Sequence, residues 1–113
     1  MKLPNYEKAI VPREKIVDYL LSFVHRDGRA KAEFFTRFGF TSGNWEVLAD
    51  ALKRHAVNNE VGKIESSPFG IRYIIEGEIE TPDKRNPQLR VVWFIEAETD
   101  PPRLATAYPL KEK

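Results

Sequence analysis

Five side chains from two distant segments have the chemical types that handling a phosphodiester requires. His25 and Lys31 flank a polar stretch in the first third of the chain, whereas Arg90, Thr106 and Tyr108 lie near its end. Histidine exchanges a proton near neutral pH and can act as a general acid or base. Lysine and arginine hold phosphate, and paired hydroxyls can orient a ribose or stack a base. These residues are therefore candidate catalytic groups, provided that the fold brings the two segments together.

Each of these side chains also has a simpler interpretation. His25 can be a surface histidine or one that braces its loop, and Lys31 can be a solvated surface lysine. Tyr108 can cap the core with its hydroxyl at the edge. His55, which follows Arg54 in a predicted helix, lacks a polar loop context, and we assign it a structural role.

Further arginines are candidate phosphate-binding and RNA-binding groups. Arg29 lies beside Lys31 at the start of a predicted helix, where free N–H groups and the helix dipole favour an anion. Three arginines of the predicted strands share one parity of the alternation: Arg72, Arg90 and Arg103. An aligned register would place all three guanidinium groups on one sheet face. Glu76 and Glu96 have the same parity, so neutralisation of the arginines is the open alternative.

The composition excludes several classes of protein. We expect one free-standing domain spanning residues 1–113. The chain has no cysteine, and its net charge of +1 argues against a dedicated non-specific nucleic-acid binder. It lacks an apolar run of the ~20 residues that span a bilayer and the apolar segment of a signal peptide, so we expect a cytoplasmic protein with no membrane contact. Metal-ligand and nucleotide-binding motifs are missing, which predicts that any enzyme activity needs no metal or cofactor.

Helical signals fill the first half of the chain. Ile16, Tyr19 and Leu20 recur at helical spacing after Pro12 and predict a helix near residues 12–22. A second helix is expected from Lys31 to Phe38, closed by Gly39 in a left-handed cap. A third begins at Thr41 or Ser42 and ends at residues 58–59. Gly28 suits a turn with positive φ.

Strand signals fill the second half. Period-2 alternation predicts strands near residues 61–64, 71–76, 88–97 and 103–108, with a break at residues 100–102. The third strand is apolar on both faces, as expected of a central strand covered on both sides. The expected fold class is α+β, with about three N-terminal helices packed on one face of a four-stranded antiparallel sheet. Trp45 and Trp93 are assigned to the core.

Two motifs carry a resemblance to a known family. The first is His25-x-x-Gly28-x-x-Lys31-Ala32-x-Phe34-Phe35, followed by Phe38-Gly39-Phe40-Thr41, and the second combines Arg90-x-x-Trp93 with Pro102-Arg103-Leu104-x-Thr106-Ala107-Tyr108. Over nearly its whole length the chain resembles a family of small bacterial domains of unknown function that occur alone and at the C-terminal ends of polymorphic and phage toxins. These domains look like the ribonuclease toxin fold shared by barnase, EndoU, colicin D and RelE.

The resemblance implies a metal-independent ribonuclease toxin that cleaves tRNA or mRNA through attack of the 2′-hydroxyl. It also implies a small antitoxin or immunity protein as a partner. The alternative is a non-catalytic module of the same fold that binds such a protein. Two positions depart from the family pattern: Arg26 replaces a proline, and Val91 replaces a threonine whose hydroxyl would lie near the site.

Overall fold

The helices and strands follow one another in the predicted order. The computed structural model describes residues 1–99 and 101–110, so Asp100, assigned to the break before the last strand, lies outside the described residues. The helical half contains α1 (Arg13–Lys15), which continues as a π-helical turn (Ile16–Leu20), then α2 (Arg29–Arg37) and α3 (Trp45–Asn58). Short 3₁₀ helices span Tyr6–Lys8 and Ser42–Asn44. The strands are β1 (Val61–Ser67), β2 (Gly70–Glu78), β3 (Gln88–Glu96) and β4 (Arg103–Pro109).

The first predicted helix changes its winding halfway along. Leu21 N donates to Ile16 O at 2.7 Å, a bond that spans five residues and widens the turn. Ile16 and Leu20 are fully buried. Tyr19 lies inside this wider turn.

Two sequence signals fix the ends of the other helices. Gly39 has a φ of 103° just after α2, the left-handed conformation expected there. Thr41 Oγ1 accepts a hydrogen bond from Asn44 N at 3.3 Å, which caps the 3₁₀ turn leading into α3. The helices therefore begin and end within a few residues of the predicted positions.

The four strands form an antiparallel meander in the order β1-β2-β3-β4. The N-terminal segment adds to its outer edge, because Ile10 pairs in parallel with Arg103 at the start of β4. Ile10 N donates to Pro102 O at 2.8 Å, and Leu104 N donates to Ile10 O at 3.0 Å. The segment around Ile10 therefore meets the start of β4 at this edge.

The two faces of the sheet differ in what covers them. Leu89, Val91 and Trp93 of β3 belong to the core formed with the helices. The opposite face, called the open face here, carries three rows of paired residues: Glu76–Arg90–Tyr108, Ile74–Val92–Thr106 and Arg72–Phe94–Arg103. Val92 is only 1% exposed yet lies outside that core. On this face the expectation that β3 is covered on both sides holds only at Val92, because Arg90 and Phe94 on either side of it are only partly buried.

This arrangement confirms the predicted α+β class with helices on one face of a four-stranded antiparallel sheet. Trp93 is fully buried, and Trp45 packs against the core while remaining partly exposed. Among the described helices, none combines the length and the apolar character that a bilayer-spanning segment requires.

Candidate functional site

Tyr19 connects three of the predicted site residues. Its hydroxyl lies 3.1 Å from Thr106 Oγ1, which joins positions 87 residues apart in the chain. The His25 ring stands edge-on to the Tyr19 ring, with 4.9 Å between their centroids. Lys31 Nζ lies 5.2 Å from the same centroid, and Lys15 Nζ lies 5.4 Å from it. The sequence assigned Tyr19 only to the apolar stripe of a helix, so this central role was missed.

The loop before α2 fixes the orientation of the His25 ring. His25 Nδ1 accepts hydrogen bonds from Asp27 N at 3.0 Å and from Gly28 N at 3.1 Å. A nitrogen that accepts two N–H groups carries no proton, so the proton of the neutral ring is on Nε2. His25 therefore braces its loop with one nitrogen and keeps an N–H donor on the other.

Gly28 is required by close contact and not by its φ angle. Its φ is −93°, so the expected positive φ was wrong. A Cβ atom at this position would lie 2.0 Å from Tyr19 O and 3.3 Å from His25 Cβ. Only glycine lets the loop come this close to the π-helical turn that carries Tyr19.

Lys31 and Arg29 begin α2, as predicted, but their contacts differ. Lys31 Nζ donates to Asp27 O at 3.1 Å, which holds its ammonium beside the His25 loop and the Tyr19 ring. Arg29 Nε lies 3.6 Å from a carboxylate oxygen of Glu33 on the exposed side of the helix. Lys31 is thus held next to the Tyr19 group, whereas Arg29 is a surface cation.

A depression of about 570 Å³ opens beside His25. We call it the His25 depression, and six residues line it: Pro12, Glu14, Lys15, Asp18, Tyr19 and His25. Its volume lies within the range of ligand pockets in proteins, and five of its six lining residues have polar or charged side chains.

Arg90 and Tyr108 form a second group on the open face. Arg90 Nη1 donates to Tyr108 Oη at 3.1 Å across the β3–β4 pair, and the guanidinium also pairs with the Glu76 carboxylate on β2. The Tyr108 hydroxyl, and after it the Glu76 carboxylate, raise the pKa of Arg90 above its ordinary value because both stabilise the cation. Neutralisation of this arginine by Glu76, left open by the sequence, is therefore present in the fold.

The arginines share a face without forming one cluster. Arg72 and Arg103 both pair with Phe94, on opposite sides of it, whereas Arg90 lies four residues away on β3, about 13 Å along the strand. Arg72 Nε is 3.8 Å from a Glu65 carboxylate oxygen. The predicted common face is correct, and the three guanidinium groups are spread along it.

The five candidate catalytic residues thus fall into two neighbouring groups. His25, Lys31 and Thr106 meet around Tyr19, and Arg90 meets Tyr108. Thr106 and Tyr108 are alternate residues on the same face of β4, about 7 Å apart, so β4 connects the two groups. In the part of the chain that the structure describes, no group of three or more metal-ligating side chains could hold a metal ion.

His55 is buried between α3 and the sheet. It is 1% exposed, and its Nε2–H is shared between Gly77 O and Leu89 O, each at 3.1 Å. Burial lowers the pKa of His55 below its ordinary value of 6.5, because the charged ring would lose its hydration. The carbonyl contacts act in the opposite direction and are the weaker influence. His55 therefore has a structural role, because its ring joins α3 to β2 and β3.

Comparisons with known proteins concern both family and fold. A family model described as a domain of unknown function (DUF6883) matches residues 2–111. One solved structure with a similar fold is described as a contact-dependent growth inhibition toxin–immunity protein complex from Klebsiella pneumoniae 342. The matching chain of that complex is 19% identical, with a TM-score of 0.74, and the match covers 95% of this chain and 97% of the other. At this identity the likeness shows a shared fold. No curated protein matches the chain.

Proposed function

The chain belongs to the DUF6883 family of domains of unknown function, and from the site itself we propose that it is a ribonuclease-like toxin domain. In this proposal the chain cleaves RNA, such as tRNA or mRNA, in the cytoplasm without a metal ion. Its fold is shared with a chain of a growth inhibition toxin–immunity complex, which supports a role in a toxin–partner pair.

One observation carries the proposal: the contact between the Tyr19 hydroxyl and Thr106 Oγ1. It brings a β4 hydroxyl to the place where His25 and Lys31 already flank the Tyr19 ring. A hydrogen-bond donor, an ammonium group and two hydroxyls from both ends of the chain therefore lie together beside an open depression. Such a set fits an anionic, ribose-bearing substrate better than an apolar one.

Each group then has a role in the cleavage of RNA. The scissile phosphate lies against the His25 Nε2–H and the Lys31 ammonium, which stabilise the charge that builds on its non-bridging oxygens. Thr106 and Tyr108 orient the sugar or base. The 2′-oxygen bonds to the adjacent phosphorus, the bond from phosphorus to the 5′-oxygen breaks, and a 2′,3′-cyclic phosphate remains. Arg90 holds a neighbouring phosphate, with Arg29, Arg72 and Arg103 as outlying RNA contacts.

The test is cleavage of RNA by the purified chain, with total RNA from an inducible bacterial culture beside it. We expect discrete fragments with cyclic phosphate ends and growth arrest on induction. Lys31→Ala should reduce cleavage strongly, whereas Lys53→Ala, which removes an exposed lysine on α3, should not. Intact RNA after incubation with the folded parent protein would refute the proposal.

A second candidate function is a non-catalytic module that binds a small immunity or antitoxin protein. The observation in its favour is that the Arg90 guanidinium is already bound by Glu76 and Tyr108 and is therefore less free to hold a phosphate. The solved relative also comes from a complex that contains both a toxin and an immunity protein. A stable complex with the product of a neighbouring gene, together with no cleavage by the free chain, would favour this candidate.

A further inference from the structure

The hydrogen bonds of His25 bear on where the proton of the attacking 2′-hydroxyl goes. Its Nδ1 accepts from two backbone N–H groups, so the neutral ring has its proton on Nε2. A ring that already carries a proton on Nε2 has its only available lone pair on Nδ1, so a second proton could add only there. The second proton would then oppose the Asp27 and Gly28 N–H groups. His25 is therefore suited to donating a hydrogen bond and unsuited to removing a proton.

Other groups in and beside the His25 depression are also unsuited to accepting this proton. An ammonium group has three donors and no lone pair, which excludes Lys15 and Lys31 as bases in their charged form. The Tyr19 hydroxyl is engaged with Thr106 Oγ1 at 3.1 Å. A proton acceptor has to come from the remaining polar side chains of the depression.

Two carboxylates of the depression can accept this proton. Glu14 and Asp18 line the depression together with His25 and Tyr19. They are four residues apart on the helical segment, so they lie on the same side of it. Lys15 and Tyr19 have the same spacing and lie beside them. Both are exposed, and neither forms an ion pair with a described residue. The Glu76 carboxylate, in contrast, forms an ion pair with Arg90.

We propose that the Glu14–Asp18 carboxylate pair supplies the general base for this cleavage; the inference rests on the ribonuclease function proposed above. One carboxylate takes the proton of the 2′-hydroxyl as the bond from the 2′-oxygen to phosphorus forms. The bond from phosphorus to the 5′-oxygen breaks, and that oxygen takes a proton from a water molecule in the open depression. The resulting hydroxide removes the proton from the carboxylic acid, so the carboxylate is regenerated and charge is balanced. His25 Nε2–H and Lys31 hold the phosphate throughout and gain no proton.

Steady-state cleavage of an RNA oligonucleotide by purified variants tests this assignment. The variants are Glu14→Gln, Asp18→Asn and the double substitution, with Asp50→Asn as a matched control, since Asp50 is an exposed carboxylate on α3 outside the depression. We expect the double variant to lose about 10²–10⁴-fold in kcat with little change in KM, the usual contribution of a general base. The acid limb of the pH–rate profile should disappear with it. Asp18→Glu should retain part of the activity if Asp18 is the acting carboxylate, and Glu14→Asp if Glu14 is.

The outcomes separate this inference from the function on which it rests. If the parent chain cleaves RNA and the folded double variant has the same kcat and pH profile as Asp50→Asn, the base assignment alone is overturned. A parent chain that leaves RNA intact would overturn the proposed ribonuclease function and the base assignment with it. If the double variant does not fold by circular dichroism, the two single variants decide. A kcat loss of tenfold or more in either supports the assignment, and unchanged kcat in both overturns it.

Discussion

Replacing Gly28 by alanine should disturb the site through a single methyl group. The added Cβ would lie 2.0 Å from Tyr19 O, where carbon atoms essentially never come closer than 3.0 Å, so the loop and the π-helical turn must separate by about 1 Å. Forcing extra atoms into a packed position typically costs about 1–3 kcal/mol. The same movement pulls the His25 ring away from Tyr19, because His25 Cβ is the next neighbour of the new methyl group.

The cost converts into a measurable shift in melting temperature. An unfolding entropy of about 2.1 cal/mol/K per residue gives about 240 cal/mol/K for 113 residues, or about 4 °C per kcal/mol. Gly28→Ala should therefore lower Tm by about 4–13 °C when followed by far-ultraviolet circular dichroism. RNA cleavage at a temperature where the variant is folded should also decrease.

Gly43→Ala is the matched control. A Cβ at Gly43 would meet nothing within 4 Å, and this glycine lies in the 3₁₀ turn before α3. The substitution should raise the free energy of unfolding by about 0.4–1 kcal/mol, since it reduces the freedom of the unfolded chain. Equal melting temperatures for the parent and Gly28→Ala would refute the close approach of this loop to the Tyr19 carbonyl.

Other contacts give three further expectations. Because burial lowers the pKa of His55, this histidine takes up a proton at a higher pH in the unfolded chain than in the folded protein. The free energy of unfolding should therefore fall as the pH drops below 6.5, by at most about 1.4 kcal/mol per pH unit, and denaturant titrations giving equal values at pH 5 and 7.5 would contradict this. A double-mutant cycle of Tyr19→Phe and Thr106→Val should give a coupling of about 0.5–1.5 kcal/mol in unfolding experiments, whereas additive effects would argue against the hydrogen bond. Thr41→Ala should cost about 0.5–2 kcal/mol through loss of the cap on Asn44 N, and an unchanged denaturation midpoint would refute it.

The order of elements was predictable because local signals agree with the fold. Gly39 ends α2 with positive φ, Thr41 caps the turn into α3, and the alternation around Tyr73 and Ile75 separates buried from exposed residues of β2. These features depend on backbone conformation and on side-chain period, which short stretches of sequence encode.

The assembly of the site was less predictable because it depends on tertiary contacts. Tyr19 lies in a π-helical turn and contacts His25 and, from a distant part of the chain, Thr106, whereas the apolar spacing around it is the same as in an ordinary helix. Gly28 was explained by the wrong property, since a close approach between loop and turn has no local signature. His55 lies beside exposed cationic residues in the sequence, and only the packing of α3 on the sheet shows that it is buried.

The pairing of Tyr19 with Thr106 has a consequence for the timing of activity during synthesis. The two residues are 87 positions apart, and Thr106 belongs to the last strand, whose edge pairs with Ile10 near the start. A ribosome-bound chain that still lacks β4 has His25 and Lys31 but no hydroxyl partner for Tyr19. In terms of the proposed function, the site is therefore incomplete in a nascent chain until β4 has been synthesised and has joined the sheet.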